Sequence, residues 1–338
     1  MHAAPPEAAA FSGFIDLASA RLGGRALLAN DEFFAEKENL LKPGRAIFLP
    51  DEYTERGKWM DGWETRRRRT PGHDWCIVRM GLPGTLRGFD IDTSHFLGNN
   101  PAYASVEALD APLDASPGSL ADANGWREIL PRSPLKPGSQ NLFAASDALR
   151  ATHLRLNIFP DGGVARFRAY GRVLPDLSRA AQGPIDLASV ESGGLVVAAS
   201  DMFFGSKENL ILPGHSTHMG DGWETRRRRG PGFDWAVVAL GAAGRVRRVV
   251  VETTHFKGNY PDTCSIEACN APDVDVDSLN AGVLPWHELL PQVKLAADHD
   301  HVFERELRDV GPVTHVKLNI FPDGGVARLR VWGTPERG

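Results

Sequence analysis

Only three cysteines, Cys76, Cys264 and Cys269, occur among 338 residues. An odd number without framework spacing excludes a disulfide scaffold and points to a reducing compartment. No apolar run approaches the roughly 18 residues that a membrane helix needs. The first residues, MHAAPPEAAAFSGF, lack the basic region and long apolar stretch of an export signal. A cytoplasmic protein with no membrane partner is therefore expected. The net charge is only -5, which gives no general attraction to nucleic acid. GxSxG, P-loop and strand-to-helix GxGxxG patterns are all missing, so the usual signals for serine hydrolysis, nucleotide binding and dinucleotide binding are absent. No zinc signature stands out either. His215 and His218 form a short HxxH, and His299 and His301 lie near Asp298 and Asp300, but neither cluster has a matching set in the first half. No metal or other cofactor is expected, with a divalent ion left open.

What is present is a tandem repeat. DGWETRRRR at 61–69 recurs at 221–229, and NIFPDGGVAR at 157–166 recurs at 319–328. FIDLAS near Phe14 answers PIDLAS near Pro184, KENL at Lys37 answers KENL at Lys207, and HFxGN at His95 answers HFxGN at His255. A repeat of roughly 160 residues is a duplicated domain and not a solenoid unit. The expected domains are 14–174 and 184–334, each large enough to bury its own core, with a linker near 173–183. The composition, 42% hydrophobic and 24% charged, suits soluble globular domains.

Both copies show short apolar alternations punctuated by Gly, Pro, Asp and Asn, which reads as mostly β. Leu154, Leu156 and Ile158 alternate with polar or aromatic neighbours, FPDGG supplies a turn, and residues 164–170 continue as a second strand, a hairpin signal. WCIVRMG, WAVVALG, FDID and VVVE look like buried strands. At least seven short strands per copy favour an all-β fold of tandem jelly-roll sandwiches. Copy one carries about ten extra residues between Pro43 and Asp61, where copy two has only GHSTHMG.

The polar residues shared by the copies are the functional candidates. On a strand, Arg66 and Arg68 would face one side, as would Arg226 and Arg228, and a guanidinium fork suits a carboxylate. The other reading is a solvated charge run partnered by Glu64 and Glu224. His95 and His255 end a predicted strand and open into loops containing Asn99 and Asn259; they either move protons or cap the strand. Glu107 and Glu267, in SVEA and SIEA, are either surface residues or, facing the histidines' cavity, the second member of an acid/base pair. Lys37, Asn39, Lys207 and Asn209 follow aromatic pairs and either present donors to a ligand or cap a turn. Asp161 and Asp323 read as turn residues.

SDMFFGSKENL, MDGWETRRRR, DTSHFLGNNPAYASVEA and LNIFPDGGVARFRAYG occur in an order that resembles the allantoicase family, over nearly the whole chain from about residue 14 to residue 333. The resemblance implies two jelly-roll, galactose-binding-like repeats and hydrolysis of allantoate to ureidoglycolate and urea in purine breakdown. Allantoate is a small anion with two ureido groups on one carbon. Arg, Lys and Asn match its carboxylate and amides. One group would protonate the departing urea while the second ureido nitrogen pushes towards an imine-like intermediate, and a base would then activate water. His95 or His255 is the expected donor, and Glu107 or Glu267 the base. The copies differ at His73 and Phe233, Asp92 and Glu252, Asn100 and Tyr260, and in the insertion at 52–58, so one site per chain and two sites both remain open.

Two other classes are consistent with the sequence. A non-catalytic tandem module would bind a small polar or sugar-like ligand, although such a site would be expected to use aromatic platforms and neutral hydrogen-bonders instead of repeated Arg, Lys, His and Glu. A structural protein would use its arginines in intersubunit ion pairs. Oligomeric state, including a homo-oligomer, is left open.

Overall fold

The computed structural model describes Phe11, residues 13–272 and residues 284–336. The chain divides into two compact units, which meet in sequence at Leu174 and Pro175. Each is an antiparallel β-sandwich of the jelly-roll kind, built on an eight-stranded network with the same strand order in both units. Among the described residues the only α-helix is Pro117–Ala121. No helix there is long and apolar enough to cross a membrane.

The centre of each unit is one strand that serves both layers. WCIVRMG and FDID, read from the sequence as separate strands, are the two ends of a single 19-residue strand, Asp74–Asp92. Residues 76–79 pair with Arg25–Ala29 on one side and with residues 153–156 of Arg150–Phe159 on the other. Residues 84–92 pair instead with Arg166–Val173, and residues 88–90 with Leu142–Ala144. The change of partner occurs where Gly81 and Gly84 let other backbone approach. A Cβ on Gly81 would lie 2.4 Å from the Leu22 carbonyl oxygen, and one on Gly84 would lie 2.5 Å from that of Arg172. Asp234–Glu252 repeats this plan in the second unit.

Alternation along these strands builds the core. Cys76, Val78, Val106, Leu154, Leu156, Ile158, Phe89 and Phe167 are fully buried, and burial of each large side chain contributes about 1.5–3 kcal/mol. Burial also raises the thiols, that of Cys264 to about 12. All three cysteines are free and buried.

The FPDGG hairpin expected from the sequence is not formed. Arg150–Phe159 and Arg166–Val173 both pair with the long strand, and FPDGG carries the chain between them. Gly163–Val164 pairs instead with Trp63–Glu64, while the Asp161 carboxylate accepts the Arg68 amide at 2.8 Å. These contacts divert the chain before a hairpin ladder can close. The peptide bond before the proline is cis in both copies.

A buried guanidinium ties the loop segment to the sheet. Arg166, 3% exposed, donates to the Asp61 carboxylate at 2.6 Å, to the Asp61 carbonyl at 2.9 Å and to the Ala165 carbonyl at 2.7 Å. Burial alone would raise the Asp61 carboxyl, but Arg166, the Ile47 amide and Lys42 outweigh it and hold it below the usual carboxylate range. Asp61 therefore contributes stability above the pKa of an exposed aspartate, lost as pH falls through its depressed value. Asp61→Ala leaves the guanidinium without its carboxylate and is expected to destabilise the first unit by about 3–5 kcal/mol. Denaturant unfolding at neutral pH measures this, and a loss below about 1 kcal/mol, the size of an exposed pair, would show that the contact is not the tie.

Candidate functional site

The recurring strings are repeated because they interlock. Ala35, ahead of the KENL segment, bridges Glu64; Glu64 pairs with Gly163 of FPDGG; and the Gly163 amide donates to the Asn99 carbonyl at 2.7 Å. Asn39 donates to the Gly62 carbonyl at 2.9 Å. Thr65 and Gly162 bond to each other through amide and hydroxyl. Only glycine fits at 163, where a Cβ would lie 2.0 Å from the Phe96 ring.

This loop cluster holds a cavity of about 370 Å³ in the first unit, lined by Phe34, Phe48, Gly57, Lys58, Met60, Glu64, His95, Leu97, Gly98 and Asn99. Its outer wall is the insertion, a short hairpin of Tyr53–Thr54 with Gly57–Lys58. Lys58 Nζ lies 4.6 Å from the centre of the Phe48 ring, which stacks on His95 at 5.6 Å. A second cavity of about 400 Å³ lies beside the same hairpin and shares Phe34 and Met60.

His95 has a left-handed backbone, φ 71°, an uncommon conformation for a residue other than glycine. Its Nε2 lies 3.1 Å from the Ala46 carbonyl oxygen. A carbonyl only accepts, so in this contact Nε2 is the donor and Nδ1 is the other ring nitrogen. Glu64 accepts from Asn99 Nδ2 at 2.6 Å. Burial raises its carboxyl, and the Asn99 hydrogen bond offsets this only partly. The cavity thus combines a histidine, a carboxyl pushed towards its protonated form, a lysine and an amide.

The expected pairing of each histidine with the glutamate of SVEA or SIEA is not what the fold assembles. Glu107 lies on the sheet face opposite Val106, where Arg155 grips it at 2.6 and 2.8 Å and Asn157 donates at 2.9 Å. Burial alone would raise Glu107, but these partners outweigh it and hold it low. Glu267 lies against Lys317 at 3.2 Å and Asn319 at 3.1 Å. Neither arrangement follows from one-dimensional spacing, because the cross-strand partner decides it.

The other candidates are mostly engaged in holding the fold. Arg66 bonds Asp31 at 2.7 Å and lies 5.2 Å from the Phe33 ring centre, and Arg226 does the same with Asp201 and Phe203. Arg68 reaches Asp74 at 2.5 Å, and Arg228 reaches Asp234. Only Trp63–Glu64 and Trp223–Glu224 of these segments are strand, so the arginines stand on extended chain outside a ladder. Lys37 pairs with Glu32 at 3.2 Å and Glu38 at 2.8 Å; Lys207 donates to the Val196 carbonyl at 2.9 Å and pairs with Glu208. Asn209 donates to the Gly222 carbonyl at 2.8 Å.

The second unit repeats the frame without the same walls. His255 again has φ 71° and contacts the Ser216 carbonyl at 3.0 Å, and Asn259 donates to Glu224 at 2.5 Å. Asn259 also contacts the Met219 sulfur at 3.4 Å. The shorter GHSTHMG segment supplies no lysine or hairpin there. Sequence reading passed over Lys58 and Phe48, and treated Glu64 only as an arginine partner. The one-copy insertion and the duplication of Glu64 as Glu224 were the available signals.

A family model described as the allantoicase repeat matches residues 15–174 and 185–336. A probable allantoicase 1 of Burkholderia mallei is 52% identical over 325 residues, covering 96% of this chain and 95% of its own. A probable allantoicase of Ralstonia nicotianae is 48% identical over 322 residues, covering 95% of each chain. The crystal structure of allantoicase from Saccharomyces cerevisiae is similar with a TM-score of 0.82 and 38% identity, covering 96% of each chain.

The raised Glu64 carboxyl has a testable consequence. Folding favours its protonated form, so its contribution to stability is full below the pKa of an exposed glutamate and is lost as pH rises through the raised value. Glu64→Gln is neutral throughout and keeps an acceptor for Asn99. Thermal unfolding at neutral pH should give a midpoint no lower than that of the parent, and a clear drop would show Glu64 to be a structural anion.

Proposed function

The chain belongs to the allantoicase family and is a hydrolase, and from that premise we propose that it cleaves a C–N bond of allantoate at the first-repeat cavity, releasing urea and ureidoglycolate. The observation that carries this reading is the presence of His95, Glu64, Asn99 and Lys58 around one cavity whose wall only the first repeat possesses. Lys58 supplies a cation for the substrate carboxylate, and the Asn99 amide, with nearby backbone groups, suits a ureido group.

Glu64, whose carboxyl burial shifts towards the acid form, gives its proton to the departing urea nitrogen. The lone pair of the remaining ureido nitrogen forms the C=N bond as the C–N bond breaks. His95 Nδ1 then takes a proton from water as its oxygen adds to that carbon, and the proton passes back to Glu64. The sum is one water consumed and one urea released, with both groups restored. These roles reverse those expected from sequence alone; the Ala46 carbonyl beside His95 Nε2 and the burial that raises the Glu64 carboxyl support the reversal.

Urea release from allantoate by the purified chain tests the activity, and two single variants test the site. His95→Ala is expected to lower kcat by about 10²–10⁴-fold with KM little changed, whereas His255→Ala keeps kcat within a few fold. Equal losses in both variants would replace this reading with two equivalent sites. Binding of allantoate without urea release would favour a non-catalytic module.

A further inference from the structure

The second unit holds a cluster that the reaction does not use. Glu252 and Asp300 face each other across an antiparallel ladder, a placement in which like charges repel. His215 joins them, and one ligand atom from each of the three lies within 4.8 Å of the other two. Glu252 is 3% exposed, and its Oε2 has no hydrogen-bond partner among the described residues. The group nearest that oxygen in the ion-pair geometry is His215 Nδ1 at 3.5 Å, too long for a hydrogen bond. A buried carboxylate oxygen left without a hydrogen-bond partner is costly, so Oε2 calls for a ligand at its own position.

We propose that His215, Glu252 and Asp300 form a divalent-cation site of the zinc or cobalt class, specific to the second repeat. One imidazole nitrogen and two carboxylate oxygens are the donor set that borderline cations accept, with water completing the shell. The nearby guanidinium of Arg330 does not fill this role. It is 3.5 Å from the other Glu252 oxygen, and its terminal nitrogens donate to the Leu212 and Gly214 carbonyls at 2.7 and 2.5 Å. By gripping those carbonyls it fixes the segment that carries His215. Thr254 donates to Asp300 at 3.0 Å and orients it. In the first repeat the corresponding positions are Arg45, Asp92 and Gln140, which places a cation and a neutral amide where the second repeat has an imidazole and a carboxylate. In the first repeat Arg45 donates to Gln140 at 3.3 Å and Gln140 donates to Asp90 at 2.7 Å, so these side chains are turned to other protein groups and offer no equivalent donor set. Neither HxxH at 215–218 nor the histidines near Asp300 form this set by sequence spacing, since the fold joins residues far apart in the chain.

The site is independent of the catalytic reading and is tested by binding. Metal-free full-length protein is titrated with Zn²⁺ by calorimetry, and with Co²⁺ by visible absorption, for the parent and for His215→Ala and Asp300→Asn. Both altered side chains are exposed, and circular dichroism checks that the fold is kept. The expected result is one Zn²⁺ per chain, weakened roughly tenfold or more in each variant, with loss of the Co²⁺ ligand-field bands. Absence of saturable binding by the parent, or unchanged affinity in either variant, overturns the proposal.

Discussion

The arrangement rests on a buried guanidinium in each unit. Arg166 and Arg328 sit on a strand of the sandwich, yet their hydrogen bonds go to Asp61 and Asp221, the residues that open the two DGWETRRRR segments. Burial and the neighbouring Arg330 charge push Arg328 down to about 10, which still leaves it charged at neutral pH. A buried cation of this kind is tolerable when its charge is offset and most of its donors are taken up, and here backbone carbonyls and one carboxylate engage the terminal nitrogens. That requirement fixes where the loop segment must lie. From there Glu64 meets Gly163, Asn99 reaches Glu64, and the cavity edge follows.

The two units show what happens when one such frame is duplicated and its walls diverge. The frame residues are retained on both sides: Asn39 and Asn209 hold a glycine carbonyl, Arg66 and Arg226 hold an aspartate, and His95 and His255 share the same left-handed backbone. The surroundings are not shared. A hairpin carrying Lys58 encloses the first histidine, whereas a methionine reaches the corresponding asparagine in the second. The lysine-walled cavity therefore belongs to one unit, while the other carries the cluster at Glu252. An interlocked scaffold permits this, since loops outside the hydrogen-bonded frame change without disturbing the core.

The sequence by itself determined the duplication, the β character, the jelly-roll class and the family. These depend on local alternation, turn residues and long repeated strings, all properties of neighbours along the chain. Tertiary structure decided the rest. Whether Glu107 or Glu64 meets His95 depends on which strands and loops become neighbours, and cross-strand pairing gave Glu107 to Arg155. The FPDGG turn has a strong hairpin sequence, but the long strand and Trp63–Glu64 compete for its two arms and win. The protonation bias of Glu64 comes from burial, a property of packing, and the meeting of His215 with Glu252 and Asp300 comes from pairing between segments distant in sequence. Periodicity records which face of an element is apolar; it carries no record of which polar groups will be brought together once the apolar faces close.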